Sequence, residues 1–385
     1  MKQRKSLLIL LLLLALSACT QPTAAPSATP LPPTRTQPAP SDTFTPLPTF
    51  TPLPTDMLPP TPTQTAISSR TPNAYQILYR RFIVATSEEF YLVDAASQEW
   101  VRLTNTTDPK DLLSATSEML GEPITVSPDG GRLAFAYDID AESFENGIHY
   151  AWDIYTLDIE LCSSAPDGCT PDQFTQLTST PYDEQSPAWS PDGNQIAYIV
   201  DQDHHESSWF SLFIMNSDGT GQRRLFGDEV FGRSMHLFWP AWSPDGSKIV
   251  LSGRIVENHP WNTFVFYANA DGTDPHQLTN SPHEENKSVY DFLPQWSPDG
   301  SEIAFEADWD DPACFYRVIL DNLEVIPVYV KGMKSCSMPR WTPDGKKVGF
   351  LSGWTSGFLY LVNPDGSDPI LITNKEEILT YVWLP

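Results

Sequence analysis

Short runs of alternating apolar and polar positions recur along the second part of the chain, each directly after a turn signal. Arg132-Leu-Ala-Phe-Ala, Gln195-Ile-Ala-Tyr-Ile, Lys248-Ile-Val-Leu, Glu302-Ile-Ala-Phe and Lys347-Val-Gly-Phe are five such runs. Their length and period predict strands, not helices. Before them stand Val126-Ser127-Pro128-Asp129-Gly130, three copies of Trp-Ser-Pro-Asp-Gly beginning at Trp189, Trp242 and Trp296, and Trp341-Thr342-Pro343-Asp344-Gly345. Proline presets the first turn position and glycine takes the conformation that other residues avoid, so each copy predicts a tight reversal between two strands.

The copy at Trp189 predicts four strands: a over 187–190, b over 195–200, c over 209–215 and d over 222–226. A second turn, Asn216-Ser217-Asp218-Gly219, separates c from d and recurs at Asn269 and Asn363. Strand d recurs at 174–178, 276–279 and 370–373. Successive motif copies stand 45 to 63 residues apart, so the units differ mainly in loop length. A sixth unit is split. Near the N-terminus 81–85 reads as b, 90–94 as c and 100–104 as d, with no strand a. The last residues, Tyr381 to Pro385, align with Ala188-Trp189-Ser190-Pro191 and supply it. Self-similar four-stranded units predict an all-β, six-bladed β-propeller whose C-terminal strand closes the first blade and removes the open edges.

Upstream of the repeats the composition changes. Lys2, Arg4 and Lys5 precede an apolar run, Leu7 to Leu14, too short to span a bilayer. It ends in Leu16-Ser17-Ala18-Cys19, which resembles the bacterial lipoprotein box. That resemblance implies a signal peptide over 1–18 and lipidation of Cys19; an ordinary secretory signal is the alternative. Residues 19–72 then form a Pro/Thr-rich linker with almost no charge, expected to be disordered and extended. The propeller is assigned to 73–385. At polyproline spacing the linker spans on the order of 150 Å, enough to hold the propeller off a membrane. The expected location is extracytoplasmic, lipid-anchored to a bacterial membrane, periplasmic or at the cell surface.

The net charge is −26, and the basic signal makes the folded region more acidic still. Such a surface repels nucleic acid and anionic lipid, which excludes nucleic acid as a partner. Apart from Cys19, four cysteines remain: Cys162, Cys169, Cys314 and Cys336. In an exported chain an even number suggests two disulfides. Propeller topology favours pairing 162 with 169 and 314 with 336, free or metal-bound thiols being the alternative.

The repeats over residues 75 to 385 resemble the TolB-type, WD40-like propeller repeat. Val126 for Trp and Thr342 for Ser are the departures. The resemblance implies protein contacts in the cell envelope. The extra domain that envelope-transport members carry before the propeller is replaced here by the linker. The repeated Trp, Pro, Asp and Gly are read as packing and turn residues, not as ligands for cations.

Propeller topology places the a–b and c–d turns on one face, and the b–c loops and d–a connections on the other. Six of the seven histidines fall on the second face, with most of the non-repeat tryptophans. The candidate binding face comprises His149, Asp203, His204, His205, Trp209, His236, Trp239, His259, Trp261, His283 and Trp309. Loops on a rigid scaffold are where binding sites concentrate. Imidazole with carboxylate suits a transition metal, but His204-His205-Glu206 has no recognised ligand spacing, and no cofactor or metal is assigned. The chain has no Gly-x-Ser-x-Gly elbow. No catalytic residue is assigned. The expected function is a monomeric binding module for a cell-envelope protein or glycan. A glycan lyase or hydrolase using a His/carboxylate site on the loop-rich face is the alternative.

Overall fold

Each Pro-Asp-Gly turn is locked by its own serine and aspartate. Ser190 Oγ donates to Asp192 Oδ1 at 2.6 Å and accepts from the Gln195 N–H at 2.9 Å, while Asp192 Oδ1 also accepts from the Asn194 N–H. The same bonds recur at Ser127/Asp129, Ser243/Asp245 and Ser297/Asp299, and Thr342 serves with Asp344. Gly193 takes φ 71° to complete the reversal. The motif is therefore a self-contained hairpin turn, and its aspartates are spent on it.

The structure is a computed structural model. It describes residues 75–84, 87–95, 99–105, 124–137, 152–201, 210–226, 229–231, 233–255, 262–280, 290–309, 313–333, 336–353, 357–373 and 378–385. These form six antiparallel sheets, the blades of a propeller. Blade 1 holds Gln76–Val84, Ser87–Asp94 and Trp100–Arg102, with Thr380–Trp383 as its strand a. Blade 2 runs through Thr125–Val126, Arg132–Tyr137, Asp153–Asp158 and Thr175–Gln176. Blade 3 is Asp183–Trp189, Gln195–Asp201, Phe210–Asn216 and Arg223–Arg224. Blade 4 is Arg233–Trp242, Lys248–Ile255, Thr263–Asn269 and His276–Gln277, with Glu229–Val230 added to its strand a. Blade 5 is Asp291–Trp296, Glu302–Ala307, Phe315–Ile319 and Glu324–Val328, and blade 6 is Ser337–Trp341, Val348–Leu351, Leu359–Val362 and Ile370–Leu371.

The closing strand occupies the expected register. Ile77 faces Trp383 as Ile196 faces Trp189 in blade 3. The Leu384 N–H donates to the Gln76 carbonyl at 2.9 Å, as Ser190 does to Gln195. Strand b of blade 1 begins at Gln76, earlier than the expected 81, because the stretch from Ile77 to Arg80 pairs with the closing strand. The turns also form a ring. Gly193 faces Pro128, Gly246 faces Pro191, Gly300 faces Pro244, Gly345 faces Pro298, and Gly130 faces Pro385. Blade 1 has no such glycine, and there the Tyr75 hydroxyl donates to Asp344 Oδ2 at 3.0 Å.

The repeated tryptophans tie blade to blade. Nε1 of Trp242 donates to the Ala188 carbonyl, that of Trp296 to Ala241, and that of Trp383 to Arg340. The core lies between the blades, where Tyr137, Tyr198, Phe266, Phe305, Phe350 and Tyr381 are fully buried. Burial of side chains this size contributes roughly 1.5–3 kcal/mol each.

Four inner strands share a bulge that the motif alone does not announce. Ser186, Trp239, Leu293 and Met338 have φ between 50° and 55°, each three residues before the Trp and directly before a proline. Register shifts between Gln185 and Ala188, Phe238 and Ala241, Phe292 and Gln295, and Ser337 and Arg340. Proline lacks the N–H that a ladder needs, so the strand bulges there. The closing strand has Tyr381 at that place and pairs without a shift.

Two disulfides staple the ring. Cys162 lies in α1 (Ile159–Ser164), within the c–d excursion of blade 2, and bonds Cys169, with Cα atoms 4.9 Å apart. Cys169 bridges Thr104 of blade 1. Cys314, before strand c of blade 5, bonds Cys336, before strand a of blade 6. Such bonds belong to a chain that matures outside the reducing cytoplasm.

Candidate functional site

Alternation of strands a to d puts the b–c and d–a connections at one end of the propeller. Of the predicted face, His236, Trp239 and Trp309 are described. His149, Asp203, His204, His205, Trp209, His259, Trp261 and His283 lie outside the described residues, as does Cys19.

His236 sits on strand a of blade 4, buried, with its ring against the edge of Phe210. Its Nδ1 lies 2.6 Å from Arg254 Nη2 on the neighbouring strand b. The Arg254 guanidinium also lies over the Phe238 ring, and burial lowers its pKa. Trp239 occupies the blade 4 bulge and packs on Phe238 and on Phe292 of blade 5. Its indole is a core side chain, buried at the seam. Trp309 is half-buried beyond strand b of blade 5, with its ring 4.3 Å from Tyr316. Its Nε1 donates to Asp291 Oδ1 at 2.8 Å. The structure thus brings His236 and Trp239 onto one strand and sets Trp309 on the next blade, with Phe292 and Asp291 between them.

Asp291, Glu306 and Glu184 are among the buried acids at this end, and none belongs to a sequence motif. Asp291 accepts from Thr279 Oγ1 and Trp309 Nε1, yet burial pushes its pKa up to about 7. Glu306 accepts from the Met338 N–H across the seam between blades 5 and 6, and burial pushes it up to about 8. Burial also raises Glu184, which accepts from Thr180 Oγ1. The one available signal was an acid inside an otherwise apolar strand, as in Ile303-Ala304-Phe305-Glu306. Among the described residues no three His, Cys, Asp or Glu side chains converge as a metal site. The repeat aspartates behave differently: the hydrogen bond from Ser243 and those from Ser247 hold Asp245 down at about 2.

The comparisons fit this geometry. The chain superimposes on TolB from Acinetobacter baumannii with a TM-score of 0.56 and 15% identity, covering 81% of this chain and 67% of that one. Kuenenia stuttgartiensis hydrazine synthase gives 0.57 and 13% identity, over 81% of this chain and 47% of that one. Among curated sequences, an uncharacterized peptidase of Bacillus subtilis, YuxL, is 30% identical over 131 residues. That match takes in 34% of this chain and only 17% of the peptidase. The TolB beta propeller domain profile matches residues 155–377, more than half of the chain, and the protein belongs to that family.

Proposed function

We propose that the protein is a lipid-anchored, extracytoplasmic binding module of a bacterial cell envelope. It docks a protein or glycan partner at the end of the propeller that carries the b–c and d–a connections. The observation that carries this reading is the inequality of the two ends. At one end every described a–b turn is short and closed on its own hydrogen bonds. The sequence assigns six of the seven histidines and most of the non-repeat tryptophans to the other end; five of those histidines lie outside the described residues, and His236 is buried on strand a of blade 4. The TolB-type propeller supplies a rigid frame for such connections. The disulfides, the lipoprotein-like Cys19 and the Pro/Thr-rich 19–72 stretch support a tethered position outside the cytoplasm.

Two measurements test it. Cys19→Ala is expected to move the protein from the membrane to the soluble fraction; retention at the membrane overturns the anchor. Proximity cross-linking in native membranes is expected to capture a defined partner with the wild type. That partner is expected to disappear when His204, His205, Trp209 and Trp261 are all alanine. Identical capture by both forms overturns the assignment of the loop-rich face.

A further inference from the structure

Strand a is the innermost strand of each blade and strand d the outermost. The strands a of successive blades touch one another around the axis, so they wall the central channel of the propeller. At the residue directly before each repeat tryptophan this wall carries Ala188, Ala241, Gln295, Arg340 and Val382, with Thr125 before Val126. Arg340 is the one cation at this level.

The direction of the Arg340 side chain is fixed by its neighbours. It stands opposite Gly349 in the ladder, and directly opposed residues share a face. A Cβ on Gly349 would meet Trp383 and Tyr381 of blade 1, so that face looks toward blade 1. The Arg340 guanidinium accordingly lies over the Tyr381 ring, 5.9 Å from its centre. Strand b of blade 6 covers one flank of Arg340 and strand a of blade 1 the other. Arg340 is nevertheless half-buried on an innermost strand, so its exposed part opens on the channel, near the turn-bearing end.

This guanidinium has no counter-charge. Among the described residues it makes no hydrogen bond and no ion pair, and none of its nitrogens is sealed from solvent. Elsewhere Arg102 pairs with Glu89, Arg317 with Glu302, and Arg224 bonds the Ser211 hydroxyl. Burial lowers the pKa of Arg340, and no carboxylate among the described residues offsets that. The Tyr381 hydroxyl is already committed to the Met338 carbonyl. Gln295 holds the same register on blade 5, is half-exposed, and has no side-chain hydrogen bond among the described residues. A partly desolvated charge without a partner is destabilising, and a counter-ion removes that penalty.

We infer that Arg340 anchors a carboxylate-binding site in the central channel, for a monocarboxylate with a short apolar body. The planar guanidinium fork fits both carboxylate and phosphate. The turn aspartates of this end, Asp129, Asp192, Asp245, Asp299 and Asp344, repel a doubly charged phosphate roughly twice as strongly as a singly charged acid. Gln295 adds a neutral donor, and the small apolar side chains of Ala188, Ala241 and Val382 at the same level suit a short apolar body. A free acid and the C-terminus of a peptide both present this chemistry. The inference goes beyond the loop-face reading and involves none of its residues.

The test is saturation-transfer NMR on the full chain with butyrate, N-acetylalanine and butyramide, each at about 10 mM and constant ionic strength, suited to a millimolar Kd. Butyrate stands for a free acid, N-acetylalanine for a peptide C-terminus, and butyramide for the same shape without charge. Transfer to at least one carboxylate is expected, with none to butyramide, and the stronger of the two carboxylates identifies the source. Arg340→Met keeps the length of the side chain and removes the charge. It is expected to weaken the signal at least about tenfold, the size of one lost charge-assisted hydrogen bond. Arg340→Lys keeps the charge without the fork and is expected to weaken it about threefold or more. Arg223→Met removes an exposed charge on the outer strand of blade 3 and is expected to leave it unchanged. Thermal unfolding checks that the variants are folded, and Arg340→Lys decides alone should Arg340→Met fail to fold. No transfer to either carboxylate, equal transfer to butyramide, or equal transfer by the folded Arg340 variants overturns the inference.

Discussion

The hydroxyl of Tyr381 donates to the carbonyl of Met338 at 3.0 Å, joining the closing strand of blade 1 to the bulge of blade 6. Tyr381 stands where four other inner strands carry proline. Met338 is the bulged residue, at φ 55°. The closing seam therefore replaces a bulge with a hydrogen bond to a bulge. Tyr381→Phe removes that bond and leaves a buried carbonyl without it. A loss of about 1–3 kcal/mol is expected, read as a lower urea midpoint with unchanged slope.

The same seam leaves no room at Gly349. A Cβ there would lie 2.5 Å from the Trp383 ring and 2.8 Å from the Tyr381 oxygen. Gly349→Ala is expected to push the closing strand outward and destabilise by about 1–3 kcal/mol, the usual range for overpacking. Hydrogen exchange is expected to rise first in residues 380–383 and 77–80. Exchange unchanged there, with stability intact, would mean the seam can absorb a methyl group.

The two disulfides close loops of different length, with sequence separations of 7 and 22. On chain entropy alone, removing the first costs about 2 kcal/mol and removing the second about 3 kcal/mol. Paired Cys→Ala variants, compared by chemical denaturation under non-reducing conditions, are expected to show that order. The Cys314/Cys336 variant is also expected to loosen the seam between blades 5 and 6, which the other leaves alone.

Stability is expected to fall as pH rises from about 4 to about 8. Burial raises Asp291 to about 7 and Glu306 to about 8 in the folded state, above the ordinary carboxylate value. The folded protein then holds more protons than the unfolded chain across that window, so raising the pH favours unfolding. This contribution is complete below the unfolded carboxylate pKa and gone above the folded one. Asp245, held down at about 2, acts in the opposite direction and loses its contribution as pH falls below about 4. Urea midpoints at pH 5, 6, 7 and 8 are expected to decline, and Asp291→Asn with Glu306→Gln to flatten the decline. A flat wild-type profile would show that these groups are already ionised in the folded protein.

The repeats alone determined the blade count, the turn positions and the closing strand, and favoured the cysteine pairs that the structure contains. Each depends on local turn chemistry or on the spacing of similar units, which a chain displays in one dimension. The register of Trp383 opposite Ile77 followed from aligning Trp383 with Trp189. Only the tertiary structure decided what depends on residues distant in sequence. Asp291 and Glu306 are ordinary acids in the sequence and become proton-holding groups because neighbouring blades exclude water from them. Trp239 reads as a loop-face aromatic and is buried at the seam, because the proline after it bulges the strand inward against Phe292. Trp341 is one repeat tryptophan among several until its neighbours fix which carbonyl each indole can reach. An interblade surface exists only once the ring is closed, and so does the chemistry at its seams.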